Sequence, residues 1–246
     1  MKIENLLEEA ELVEGGVTND VWATDNRIVK RYSRWSPHGI LMKSAGFSRI
    51  ENEDLGPTAR IENEKTAEEY FNDKQIQAPE IVYEDYLFAE ELGQGFKPGY
   101  YAVFEKVDGT SFGESVEELD LDQTYEIARK IGSSLSEMHE EGFARRDSRG
   151  ENLMYELGKN PDLHWIDNEF FVDKASEFDK NLDISTVVGE AQTYPDLKTD
   201  AAIKGLNKGY EQRNIDSSGD FYSKLIALRL TADNPGNRLA NYIQNG

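Results

Sequence analysis

The chain is 246 residues long and carries 48 acidic against 27 basic residues, a net charge of −21 that argues against a broad non-specific nucleic-acid surface and leaves only a local basic patch open. Hydrophobic residues at 38% and aromatic ones at 11% suffice for a full core, which excludes global disorder; the absence of cysteine excludes disulfides, cysteine-ligated zinc and thiol catalysis. No apolar run reaches the roughly 18 to 20 residues that span a bilayer, and the acidic start Met1–Glu9 has no signal-peptide core, so a soluble cytoplasmic protein is expected.

In chain order, Ala10–Glu14, Asp20–Thr24 and Arg27–Tyr32 predict antiparallel strands, with Gly15-Gly16 and Asp25-Asn26 between them. Residues 34–58 hold Trp35, Pro37, His38, Gly39, Gly46, Gly56 and Pro57 with weak periodicity and read as an extended, partly helical insertion. From Thr58 to Lys74 good helix formers run without Gly or Pro, and Ile61, Ala67, Tyr70 and Phe71 supply apolar positions; a helix is expected, ended by Pro79. Ile81–Tyr83, Tyr86–Ala89 and Tyr100–Phe104 predict strands, and Val107-Asp108-Gly109 predicts a turn leaving the sheet. Asp122 is placed to cap a helix running to Glu141, with Ile127, Ile131, Leu135 and Met138 on one face and Gly142 as its stop. Tyr155 and Leu157 pair with the short apolar run Leu163–Ile166 around a turn at Gly158–Pro161. From about Leu182 the chain reads as helical, with loops at Pro195 and Gly219. A β-rich first part and an α-rich second part, meeting near Glu105, give an α+β class and a two-lobed molecule.

The chemistry concentrates in Arg146-Asp147-Ser148-Arg149-Gly150-Glu151-Asn152 and in Asp167 at the end of the run Leu163–Ile166. Phosphoryl transfer needs a carboxylate to orient the attacking hydroxyl and oxygen ligands to hold Mg²⁺ on the phosphates. Asp147 fits the first need; Asn152, five residues on, and Asp167 fit the second, and Arg149 can offset charge on the transferring group. Asp and Asn are also common turn formers, so the pair alone fits a polar loop. Asp167 at the end of a strand shifts the balance to a metal site. Lys30, ending the strand Arg27–Lys30, is placed to hold α- and β-phosphates, with Glu64 on the following helix to orient it; a surface charge is the plain alternative. Gly15-Gly16-Val17-Thr18-Asn19 can fold over phosphates with backbone N–H groups, or simply turn. Three histidines argue against a histidine metal cluster, and His139 reads as a packed structural residue. Trp22, Trp35 and Trp165 read as core, and Glu114, Glu117, Glu118 and Asp120 as a solvated face.

These elements, in this order, resemble the protein-kinase-like superfamily over Gly15 to about Asp183. Arg146-Asp147 with Asn152 is similar to the catalytic loop, Ile166-Asp167-Asn168-Glu169 to the metal-binding aspartate segment, and Val29-Lys30 with Glu64 to the strand lysine and its helix partner. Phe104–Gly109 is similar to the hinge, where backbone groups of Glu105 and Val107 hold adenine. Asp183 resembles the buried aspartate that braces the catalytic loop. The resemblance implies a two-lobed protein-kinase-like fold: residues 1–104 as an N-terminal lobe with an antiparallel sheet and one main helix, 105–109 as hinge, and 110–246 as a mostly helical C-terminal lobe, in one catalytic domain. ATP and Mg²⁺ are the implied cofactors, bound between the lobes, and a hydroxyl the implied acceptor.

The departures from the family pattern are specific. Arg145 takes the usual histidine position of the catalytic loop, Asn168-Glu169 replaces Phe-Gly, no Ala-Pro-Glu segment follows, and Asp183 comes only 16 residues after Asp167, which leaves no room for a long activation loop. Such compactness looks more like the RIO kinases, the small archaeal kinases linked to tRNA modification and lipopolysaccharide-type kinases. The glycine turn is similar to the opening of aminoglycoside and choline phosphotransferases, whereas Arg149 leans towards protein kinases. An atypical protein serine/threonine kinase is expected, with a small-molecule phosphotransferase or a nucleotide-binding pseudokinase as alternatives. Because the acidic residues are spread along the whole chain, a halophilic source is also expected, where about 1 M salt screens repulsion to within about 3 Å; an ordinary acidic mesophile protein is the alternative, since lysine is not replaced by arginine.

Overall fold

In the computed structural model, described over residues 3–15, 19–32, 56–88, 96–156 and 162–210, the chain has the expected α+β composition. The elements run α1 (Ile3–Glu9), β1 (Glu11–Gly15), β2 (Asn19–Ala23), β3 (Arg27–Tyr32), α2 (Pro57–Phe71), β4 (Ile76–Gln77), β5 (Ile81–Leu87) and β6 (Gly99–Glu105). They continue with β7 (Thr110–Ser111), α3 (Phe112–Ser115), α4 (Leu121–Glu140), a 3₁₀ turn (Gly150–Asn152), β8 (Leu153–Tyr155), β9 (Leu163–Trp165), α5 (Glu177–Ala191) and α6 (Asp196–Gly209). Two compact units divide it: the described residues up to Tyr70 with Ala78–Val107 and Asn168–Phe170, and Phe71–Gln77 with Asp108–Asp167 and the described residues from Phe171 on.

The first unit is built on an antiparallel sheet of order β1-β2-β3-β6-β5. Successive strand residues face opposite ways, and both faces are covered. Val29, Tyr101, Val103 and Leu87 pack with Ile3 and Leu7, one turn apart on α1. Tyr32, Ala102 and Phe104 pack with Ile61 of α2 on the other face. Alternation therefore turns Lys30, between Val29 and Arg31, to the α2 side. Pro57 opens α2, where its missing N–H costs no hydrogen bond. The buried face of α2 is Arg60, Ile61, Glu64 and Ala67, a helical spacing that carries two charged residues. Trp22 is half-buried against Phe96 and Tyr101 rather than fully in the core. One edge departs from expectation. Ile81–Leu87 is a single strand with an irregularity between Ile81 and Tyr83, not two strands, because Glu84 and Asp85 lie on an outer strand where polar side chains reach solvent.

In the second unit α4 begins two residues earlier than Asp122 indicates. Asp120 is the N-cap, accepting from the Gln123 amide while the Gln123 side chain accepts from the Asp120 amide. Ile127, Ile131, Leu135 and Met138 are buried as expected, and Gly142 at φ +89° stops the chain just beyond the helix. Gly132, Gly205 and Gly209 let the α4 and α6 backbones touch: a Cβ on Gly209 would lie 2.0 Å from the Arg129 carbonyl oxygen, and one on Gly205 2.3 Å from that of Tyr125. A small sheet of order β4-β9-β8-β7 packs beside them, β4 parallel to β9 and the rest antiparallel, with Trp165 fully buried. α5 starts at Glu177, before the expected Leu182, because Ser176 and Asp179 form a second capping box. The acidic positions Glu114, Glu117, Glu118 and Asp120 are exposed. The insertion 34–58 with Trp35 and His38, the turn at Gly158–Pro161, Leu157 and the segment around Gly219 lie wholly or mostly outside the described residues.

Candidate functional site

Residues 144–152 leave α4 and return as β8 in a loop held by hydrogen bonds from both sides. Ala144 and Val172 exchange backbone hydrogen bonds at 3.1 and 2.9 Å. Asp183 on α5 is fully buried; Oδ2 accepts from the Arg145 amide (2.8 Å) and Oδ1 from the Ser148 hydroxyl (2.7 Å). His139 completes the brace. As the carboxylate only accepts, His139 Nε2 donates to Asp183 (3.1 Å) and Nδ1 accepts from the Tyr210 hydroxyl (2.8 Å), the structural role expected of it.

Arg145, the departure from histidine, has a visible use. Its Nη2 donates to the Ile166 carbonyl at 2.8 Å and the Asp167 carbonyl at 3.4 Å, while its guanidinium lies 4.1 Å over the Trp165 ring. Arg146, at φ +65°, donates to Asp179 at 2.8 Å. Burial works against the Asp179 charge, but the Ser176 hydroxyl and Arg146 outweigh it and hold that carboxyl below its usual value.

Asp147, Arg149, Asn152 and Asp167 converge in this unit. Arg149 grips Asp147 with two hydrogen bonds, Nε to Oδ1 at 2.8 Å and Nη2 to Oδ2 at 3.2 Å, and reaches Glu151 at 3.0 Å. Asp147, then Glu151 and Asp167, drive the Arg149 pKa further up against burial. A carboxylate has about four lone-pair positions, more than the two that this grip takes up. Asn152 immediately precedes β8, Ile166-Asp167 follows β9, and the register Leu153↔Trp165 sets both at one end of the hairpin. The Ile166 amide donates to the Asn152 carbonyl (2.9 Å), and Asn152 Nδ2 donates to the Asp147 carbonyl (3.2 Å), which leaves Asn152 Oδ1 as an oxygen donor. Asp167 holds φ +56°, a left-handed conformation rare for a residue with a side chain. No group of three or more histidine, aspartate or glutamate side chains is gathered for a metal among the described residues. One carboxylate and one amide nevertheless fit Mg²⁺, which takes one or two carboxylates and completes its shell with phosphate oxygens and water.

The remaining expected residues lie in the first unit. Lys30 and Glu64 are both buried and pair at 2.9 Å, Nζ to Oε1. Glu64 Oε2 accepts the Asn168 amide, also at 2.9 Å, so one carboxylate holds both the strand lysine and the peptide after Asp167. Glu105 ends β6, where its amide donates to Glu80 (2.9 Å), and Val107 follows the Lys106 amide, which donates to Asn26 (3.2 Å). Gly15 closes β1, and Gly16 lies outside the described residues.

Glu190 was not singled out by its sequence. It sits two helical turns after Asp183 on α5, buried, and its carboxylate accepts the Gly150 amide. Burial pushes its pKa up to about 7 despite that hydrogen bond; Glu151 and Asp147 add to the rise and Arg149 opposes it. Burial and Glu190 likewise drive the Tyr194 hydroxyl upward. An acid on the apolar face of α5, in phase with Asp183, was the available signal.

A sequence model described as the phosphotransferase enzyme family (APH) matches residues 9–187. No curated protein matches the sequence. Among solved structures the chain is similar to the crystal structure of monomeric WbdD, with 17% identity, a TM-score of 0.48 and coverage of 86% of this chain and 44% of that one. It is also similar to a co-crystal structure of WbdD and the kinase inhibitor LY294002 (14% identity, TM-score 0.48, 87% and 48% covered). The crystal structure of the Rad53 kinase domain and SCD2 follows at 14% identity and a TM-score of 0.37, with 69% and 54% covered. The chain thus spans about half the length of these proteins or less.

Proposed function

The chain belongs to the phosphotransferase enzyme family, and on that premise we propose that it is an ATP- and Mg²⁺-dependent kinase that transfers the γ-phosphoryl group to a hydroxyl. The observation that carries this reading is the convergence of Asp147, Arg149, Asn152 and Asp167 on one braced loop and hairpin end. In this reading Asn152 and Asp167 hold Mg²⁺, which when bound neutralises phosphate charge. Lys30, oriented by Glu64, holds the α- and β-phosphates, with backbone N–H groups of Gly15 and Gly16 as further phosphate donors in this reading. The Glu105 carbonyl and Val107 amide take the adenine. Asp147 accepts the hydrogen bond of the acceptor hydroxyl and orients its oxygen, while Arg149, shared with Asp147, stabilises charge developing on the transferring group.

A small-molecule acceptor is favoured over a protein serine or threonine. The segment from Asn168 to Ser176 is short, its first residues are bonded to α2, and Val172 is bonded to Ala144. Within that segment little chain is left to form a platform for a peptide. The protein lies in one soluble compartment in this reading, the cytoplasm, and among the described residues no helix is long and apolar enough to cross a membrane. Incubation with γ-labelled ATP and Mg²⁺, with and without a small-molecule extract, tests the acceptor. Label entering small molecules supports the reading; label entering only protein returns the acceptor to a serine or threonine, and label remaining on ATP throughout supports a pseudokinase.

A further inference from the structure

Glu169 stands where the kinase-like pattern has glycine, and its carboxylate is the centre of a buried polar cluster. Oε2 accepts from Arg60 Nη1 and from Asn19 Nδ2, each at 3.1 Å, and Arg60 Nη1 also donates to Asn19 Oδ1 at 3.1 Å. Asn63 Nδ2 donates to the Glu169 carbonyl at 2.8 Å. The Arg60 and Glu169 side chains are 0% and 3% exposed, and the guanidinium lies 5.2 Å over the Tyr32 ring. Three segments meet here: α2, the first residue of β2, and the second residue after Asp167.

A buried ion pair is a poor source of stability, because desolvating both charges offsets most of their attraction and apolar replacements of equal size are often as stable. What such a pair does supply is a fixed geometry, since a lone buried charge in any other register is costly. The position matters because Asp167 itself is in a left-handed conformation, which persists only where neighbours determine it. Glu64 fixes the next amide, and the cluster fixes the residue after that.

We propose that Arg60, Asn19 and Glu169 are positioning residues, with Asn63 as support, that hold the peptide following Asp167 against α2 and thereby keep the Asp167 carboxylate in one metal-ready orientation. The departure from Phe-Gly is then a built-in lock and not a sign of lost activity. This rests on the reading of Asp167 as a metal ligand.

The test compares calorimetric affinities for Mg-ATP and for ATP in EDTA, with thermal melting as the fold control. In Arg60→Met/Glu169→Leu neither charge is left alone, and the cost to melting is confined to Asn19, whose buried Nδ2 and Oδ1 lose these partners. Mg-ATP affinity falls about tenfold or more, while Mg-free affinity changes by less than about twofold. The half-buried Asn63→Leu loses only the bond to the Glu169 carbonyl and shows the same Mg-specific weakening at about threefold. A folded double variant that keeps Mg-ATP affinity, or one that loses both affinities equally, overturns the proposal. If the double variant does not fold, Asn63→Leu decides in the same terms. A wild-type chain that binds Mg-ATP no better than ATP in EDTA overturns the metal reading itself, an outcome distinct from the others.

Discussion

Replacing Asp183 by alanine gives the sharpest account of how the loop is held. The carboxylate receives hydrogen bonds from the Arg145 amide, the Ser148 hydroxyl and His139 Nε2, and the side chain is fully buried. The three donors are not equally harmed. His139 can move its proton to Nδ1 and donate to Tyr210, and the Ser148 hydroxyl can rotate, but the Arg145 amide has no second choice. An orphaned buried donor costs about 1–3 kcal/mol, and a hydrogen bond to a charged group contributes about 1.5–3 kcal/mol. One full penalty and two partial ones amount to about 3–4 kcal/mol, a large share of a typical stability of about 5–15 kcal/mol. At about 2–4 °C per kcal/mol for a chain of this size, Tm falls by about 10 °C. Urea unfolding measures the loss, and hydrogen exchange locates it at the Arg145 amide. A loss under about 1 kcal/mol with unchanged protection of that amide would refute the brace. Asp183→Asn, which keeps one acceptor oxygen and the volume, should recover part of the loss.

Other consequences are open to direct measurement. Because the Glu190 carboxyl is raised from 4.5 to about 7 in the folded chain, the folded state holds its proton more tightly than the unfolded one, so its contribution is full below about pH 4.5 and is lost as pH rises through about 7. The total is up to about 3 kcal/mol, and Glu190→Gln should flatten the pH dependence of urea unfolding over that window; an unchanged slope contradicts the burial argument. Gly209→Ala drives a Cβ into the Arg129 carbonyl and should destabilise by about 2 kcal/mol or more through forced separation of α4 and α6, whereas an unchanged Tm would show that the helices can part freely. If the dispersed acidic charge reflects a halophilic source, Tm climbs from low to molar KCl; a flat or falling Tm disproves it.

Much of this was legible in the sequence, and the reasons differ by element. β1, β2, β3, β6 and α4 announce themselves through alternation or a four-residue apolar period bounded by turns, and Asp147, Asn152 and Asp167 through their order along the chain. The resemblance drawn from those residues is borne out by the family model over residues 9–187. The Asp120 cap was masked by a second acid, Asp122, in the first turn. The strand Ile81–Leu87 looked broken because its two central acids sit on an edge. β4 and β7, each two residues long, carry no periodicity at all. The buried charges are the hardest case. Arg60 and Glu169 lie 109 positions apart, and on one sequence neither differs from a solvated surface charge. α2 suffers likewise, since the charged members of its buried face blur the apolar stripe that identifies a helix.

The claim that Asp167 supports phosphoryl transfer is tested most directly by ADP formation as a function of Mg²⁺, with a hydroxyl-rich small-molecule extract as acceptor source, in the wild type and in Asp167→Asn. Mg²⁺-dependent turnover, stimulated by acceptor, is expected in the wild type, with a rate lower by a factor on the order of 10³ in the variant, the scale lost when a main electrostatic stabiliser is removed. Equal rates in the two proteins would contradict it.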